Sequence, residues 1–141
     1  MRFMVMIKAS PDSEADVAPE EGLLLRMGQY NEELVNAGIM VDGAGLMSSA
    51  KGARVTLADG EAVVTDGPFT EIKEVIAGFW IWNCASLQEA IDWVQKCPIA
   101  HGQNHFEIRQ MHELEDFATD GEGYEQHKKV EAQLAAQKSR D

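Results

Sequence analysis

Positive charge is scarce in this sequence. Its 12 Lys and Arg face 24 Asp and Glu, giving a formal net charge of −12. Binding to a phosphate backbone needs clustered cations, so no nucleic-acid partner is expected. The same balance disfavours an anionic membrane surface. Cysteine is scarce too: Cys84 and Cys97 are the only two, both beside apolar segments, where a small buried thiol is expected rather than a bridge. No apolar run approaches the ~20 residues of a membrane span. The Met1–Lys8 stretch is too short for a signal-peptide core, and no small-residue cleavage site follows it. The expected location is the cytoplasm.

Familiar cofactor signatures are missing as well. In Asp42-Gly43-Ala44-Gly45 the third glycine of a dinucleotide fingerprint is replaced by Ser48, and no helix pattern opens behind it. There is no Walker loop and no nucleophile elbow, so no cofactor is expected. The histidines are His101, His105, His112 and His127. His101 and His105 lie between a proline-ended helix and a strand, with no cysteine or acidic cluster to complete a shell, so no metal is expected.

What is present is a clear alternation of elements in one expected domain, 1–112, followed by an acidic tail, 113–141. Phe3–Ile7 is continuously apolar and reads as a strand covered on both faces. Ala9–Ala18 reads as loop. Pro19 suits a first helical turn, and Leu23, Met27, Tyr30 and Leu34 recur at three- and four-residue steps, with Leu24 and Val35 widening the stripe. This helix is expected over Pro19–Ala37, ended by Gly38. Ile39–Val41 begins a second strand, and Ser48–Gly52 reads as loop. Asp59-Gly60 between Arg54–Leu57 and Ala62–Thr65 predicts a hairpin. Gly78–Cys84 is a further strand with Phe79 and Ile81 on one face and Trp80 and Trp82 on the other. Ser86 and Glu89 form a capping box for a helix turning Leu87, Ala90, Ile91 and Val94 inward, ended by Cys97-Pro98. His105–His112 alternates as a last strand, Phe106 and Ile108 opposite Glu107 and Arg109. In the tail, a polar helix is expected over Glu122–Ser139.

This order predicts a ferredoxin-like α+β sandwich, an antiparallel sheet with two helices on one face. Both faces of the central strands are apolar, and one helical layer covers only one of them. A homodimer through the sheet face bearing Trp80 and Trp82 is therefore expected.

Of the candidate site residues, Asp66 and Lys73 lie within the stretch Val63–Asn83. Gly67-Pro68 is a stiff exit from a strand. Asp66 just before it can act as a general base or ligand anchor, or simply cap the turn. Lys73, within the charged run Glu71-Ile72-Lys73-Glu74, can anchor an anionic group or be solvated. Glu107 and Arg109, on the face expected inside the dimer, need partners if buried; Arg109 could instead hold a ligand carboxylate. Tyr30 is either core with a satisfied hydroxyl or a site residue.

The run Val63-Val64-Thr65-Asp66-Gly67-Pro68-Phe69-Thr70-Glu71, with Lys73-Glu74 and Gly78-Phe79, resembles the signature of the DGPF-type branch of the YCII-related family. Cys97-Pro98, Glu107-Ile108-Arg109, Gly38–Leu46 and Glu115-Asp116-Phe117 are also similar to it. The resemblance implies a dimeric α/β-barrel. It also implies relatives associated with alternative sigma factors and, in the wider group, lyase-like enzymes with a His-Asp pair. This chain departs from that pattern at Ile72, where Thr or Ser is usual, and in having no histidine in its first helix. The expected function is a small-molecule-binding dimer with the pocket between sheet and helices, acting as a cofactor-free proton-transfer or lyase-type enzyme. The alternative is a non-catalytic regulatory or interaction module.

Overall fold

The computed structural model describes residues 1–99 and 105–140. His101, one of the histidines considered above, lies outside the described residues. The chain divides into two compact units, Met1–Gln110 and Met111–Asp141.

In the first unit the elements are β1 (Arg2–Lys8), α1 (Pro11–Glu14), α2 (Glu21–Asn36), β2 (Met40–Gly45), β3 (Ala53–Ala58), β4 (Glu61–Asp66), β5 (Ile76–Asn83), α3 (Leu87–Gln95) and β6 (Phe106–Gln110). Four strands form one antiparallel sheet in the order β2-β5-β1-β6, and β3-β4 forms a separate hairpin. With that hairpin set aside, the order is that of a ferredoxin-like βαββαβ unit. The fold is the expected α+β sandwich.

Register fixes which side chains share a face. Phe3 stands opposite Trp82, and Val5 opposite both Trp80 and Ile108. These residues pack with Tyr30 and Leu34 of α2 and Ala90 of α3 into one core. Trp80 and Trp82 are thus buried beneath the helices of their own chain, at 5% and 0% exposure. This corrects the expectation that they face a second copy. The reason is chemical: the Trp80 indole N–H needs an acceptor, and Asn31 of α2 supplies its Oδ1 at 3.0 Å. The Tyr30 ring meets Trp80 edge-on, centroids 6.0 Å apart. Among the described residues, the equally buried Trp82 Nε1 has no partner. The opposite face carries Met4, Met6, Phe79 and Ile81, paired across β1 and β5, with Glu107 and Arg109 beside Met6 and Met4.

Several local expectations shift. The first long helix begins at Glu21, so Pro19 and the Glu20 cap precede it. A short helix appears where loop was expected, because Ser10 accepts from Ser13 N and Pro11 occupies the first turn. Leu24, Val35 and Leu87 are exposed rather than inward. The second strand, begun at Met40, runs through Asp42-Gly43-Ala44-Gly45. Ser86 caps α3 as expected, accepting from Glu89 N at 3.1 Å, while Glu89 Oε2 accepts from Ala85 N. The hairpin turn has Asp59 at φ 50 and Gly60 at φ 78, the doubly left-handed geometry that an Asp-Gly pair supplies cheaply. Both cysteines are free and buried, and burial raises both thiol pKa values.

The second unit holds a 3-10 turn at Leu114–Asp116 and α4 (Glu122–Lys138). No residue of α4 is buried. No helix among the described residues is long and apolar enough to cross a membrane.

Candidate functional site

Asp66 ends β4 opposite Ala53, with its carboxylate exposed. Among the described residues the Asp66 side chain makes neither a turn-capping hydrogen bond nor an ion pair. Lys73 is exposed in a 3-10 turn, Ile72–Glu74. Glu107 pairs with Lys8 at 3.3 Å, so its partner is neither Arg109 nor Asp66. Arg109 is exposed on β6, in a different sheet from Asp66. Tyr30 is core: its hydroxyl donates to the Trp93 carbonyl at 2.6 Å, and burial raises its pKa. None of these five residues lines either of two cavities found among the described residues of the first unit.

One cavity, ≈ 440 Å³, lies between α2 and the β2–β5 edge of the sheet. Leu24, Met27 and Asn31 form its helical wall; Gly43, Gly45, Gly78 and Trp80 form the strand wall. The glycines make the room. A Cβ on Gly43 would meet Trp80 Cδ1 at 2.9 Å, whereas one on Gly45 would meet nothing within 4 Å. Gly43 and Gly45 stand opposite Trp80 and Gly78, so both present their missing side chains to the helical side. The polar group here is Asn31. An indole N–H can only donate, so the Asn31 oxygen must face Trp80, and the carboxamide is fixed with its NH2 donors uncommitted among the described residues. Among the described residues, no titratable side chain lines this cavity.

The other cavity, ≈ 510 Å³, sits at the root of the hairpin. Its frame is a latch joining segments distant in sequence. Ser49 Oγ donates to Glu14 Oε2, Ser49 N donates to Glu14 Oε1 at 3.0 Å, and Phe69 N donates to Ser49 Oγ at 2.9 Å. Ser48 N donates to Asp16 Oδ1 at 2.7 Å, and this bond is the main reason the Asp16 carboxyl stays below the ordinary range. Lys51 adds an ion pair to Asp16 at 3.3 Å. Gly67 is where the latch closes: a Cβ there would lie 1.8 Å from the Ser49 carbonyl oxygen. The Asp66–Phe69 turn therefore needs its glycine for close approach, a requirement beyond the chain reversal read from the sequence. In the sequence, Ser48, Ser49, Lys51 and Arg54 carry no mark as site residues. No periodicity or spacing flags them, because their role depends on contacts such as Glu14–Ser49, 35 residues apart.

Fold and cavities together define a ferredoxin-like α+β domain with an inserted hairpin and room for small molecules in two places. The particular family follows from comparison: the YCII-related domain matches residues 1–115, and the chain belongs to that family. An uncharacterised protein of Rhizobium meliloti (strain 1021) is 31% identical over 93 residues, 65% of this chain and 75% of that protein. Among solved structures, this chain is similar to 5-chloro-2-hydroxyhydroquinone dehydrochlorinase from Burkholderia phenoliruptrix AC1100, in complex with 2,5-dihydroxybenzoquinone. That similarity has a TM-score of 0.41 at 22% identity, covering 82% of this chain and 98% of the other.

Proposed function

We propose that this protein binds a small, neutral, mostly apolar molecule bearing a hydrogen-bond acceptor, in the cavity between α2 and the sheet. The observation that carries this reading is the Asn31 carboxamide, locked by Trp80 with its donors uncommitted in an otherwise apolar space of ≈ 440 Å³. Such a volume falls within the range of small-molecule sites, and one fixed polar group in an apolar wall gives orientation. With no acid or base among the residues lining the cavity, the reading is of binding, without the proton-transfer step of a lyase.

The test uses 2-acetonaphthone, a neutral aromatic ketone, with Trp80 in the cavity wall as the fluorescent reporter. Saturable quenching is expected in the wild type and its loss in Gly45→Leu, whose side chain would enter open space. Equal binding by a folded Gly45→Leu protein would refute the assignment.

Two copies of the chain are proposed to meet on the face bearing Met4, Met6, Phe79 and Ile81, an apolar sheet face outside the helix-packed core, with Met4, Phe79 and Ile81 partly exposed. Ile81→Glu should then give a monomer by light scattering. A stable dimer carrying that glutamate would sink this interface.

A further inference from the structure

The cavity at the hairpin root has a different chemistry from the one just assigned. Arg54 lies in its lining with the guanidinium carbon 3.8 Å from the centre of the Phe69 ring. Among the described residues Arg54 has no carboxylate partner, although the chain carries 24 Asp and Glu against 12 Lys and Arg. The neighbouring Lys51 differs, its charge being met by Asp16 at 3.3 Å. Stacking on a ring holds a guanidinium by its face, and its N–H donors, which lie in the plane, are left for another group. A second donor lines the same cavity. Ser48, only 5% exposed, accepts from Ala50 N at 3.1 Å, and its hydroxyl proton meets no acceptor among the described residues. Leu46, Met47 and Ile76 provide apolar surface alongside.

We infer that this cavity is a second, separate binding site, taking a small monocarboxylate with an apolar or aromatic body. The carboxylate is held by the Arg54 fork with the Ser48 hydroxyl as an added donor, and the body rests on the apolar wall. A fork of N–H donors matches a carboxylate in shape as well as charge. Polyanions such as nucleotides are disfavoured, because Glu74 shares the lining and the chain is strongly acidic.

The test compares 2-naphthoate with the neutral 2-acetonaphthone on the full chain by isothermal titration calorimetry. Wild-type protein is expected to bind naphthoate saturably. Arg54→Ala and Arg54→Gln should each weaken it by about tenfold or more, the size of a lost charge-assisted hydrogen bond. Both variants should stay folded, with melting temperatures lowered only slightly by the loss of the exposed Arg54–Phe69 stacking. Acetonaphthone binding should be unchanged in them, and naphthoate binding unchanged in Gly45→Leu. The inference is overturned if the wild type shows no saturable naphthoate binding, or if either folded Arg54 variant binds it as the wild type does. It is equally overturned if Gly45→Leu abolishes naphthoate binding, which would place the anion in the other cavity.

Discussion

The described residues form two antiparallel sheets, each with apolar strand residues, that are used in opposite ways. In the four-stranded sheet Phe3, Val5, Trp80 and Trp82 are nearly or wholly buried. In the hairpin every residue of both strands is exposed, Leu57 to 81%, although Val55, Leu57, Val63 and Val64 are as apolar as any core strand. An isolated two-stranded hairpin is marginal in water. This one is held at its root: Gly67 N donates to the Gly52 carbonyl at 3.1 Å, Phe69 N to Ser49 Oγ, and Arg54 lies over Phe69. One sheet is stabilised through a face, the other through its base. Hydrophobic pattern alone cannot tell these cases apart.

The comparison breaks most visibly at its extremes. Trp82→Ala removes a fully buried ring from the core and should cost about 3–5 kcal/mol. Leu57→Thr, on the hairpin, should change stability by no more than about 0.5 kcal/mol. Chemical denaturation of both variants decides the matter. A Leu57→Thr loss approaching that of Trp82→Ala would mean that the hairpin face is covered in solution, and the contrast would fail.

Between these lies the root itself. Gly67→Ala sets a methyl group 1.8 Å from the Ser49 carbonyl oxygen, so either the turn or the Ser49 segment must move. A loss of about 1–3 kcal/mol is expected, as for other overpacked sites. Faster hydrogen exchange should be confined to the hairpin and the Phe69 amide. Uniform acceleration across β1 and β5 as well would show that the hairpin is not a separate layer of stability.

Much of this organisation is legible in the sequence. The strand–helix order, the Asp59-Gly60 turn and the alternation along β5 all follow from local chemistry. The orientation of β5 does not, because both of its faces are apolar: Trp80 with Trp82, Phe79 with Ile81. The deciding fact is a hydrogen bond to Asn31, 49 residues away in sequence, and only packing reveals it. The site residues divide in the same way. Asp66 stands out in the sequence by the company of Gly67-Pro68, yet its neighbour Gly67 makes the structural contact. Arg54 and Ser48 carry no local mark at all. Their chemistry arises where the strand start, the Ser48–Gly52 segment and the Phe69 turn converge, and each segment by itself reads as ordinary loop or strand.

The smallest effect expected concerns Asp16, which ties the hairpin root to the segment after α1. Its folded pKa is lowered, chiefly by the hydrogen bond from Ser48 N and further by Lys51. A carboxyl with a depressed folded pKa stabilises the fold while it is ionised. That contribution is complete above the ordinary carboxylate value of about 4. It fades as pH falls below that value, because the unfolded chain takes up its proton first. Asp16→Asn should therefore lower the urea midpoint slightly at pH 7, by less than Gly67→Ala does. The gap from the wild type should hold down to about pH 4 and narrow below it. A gap that stayed constant into the more acid range would show that shape or side-chain packing, rather than the ionised carboxylate, makes Asp16 matter to the root.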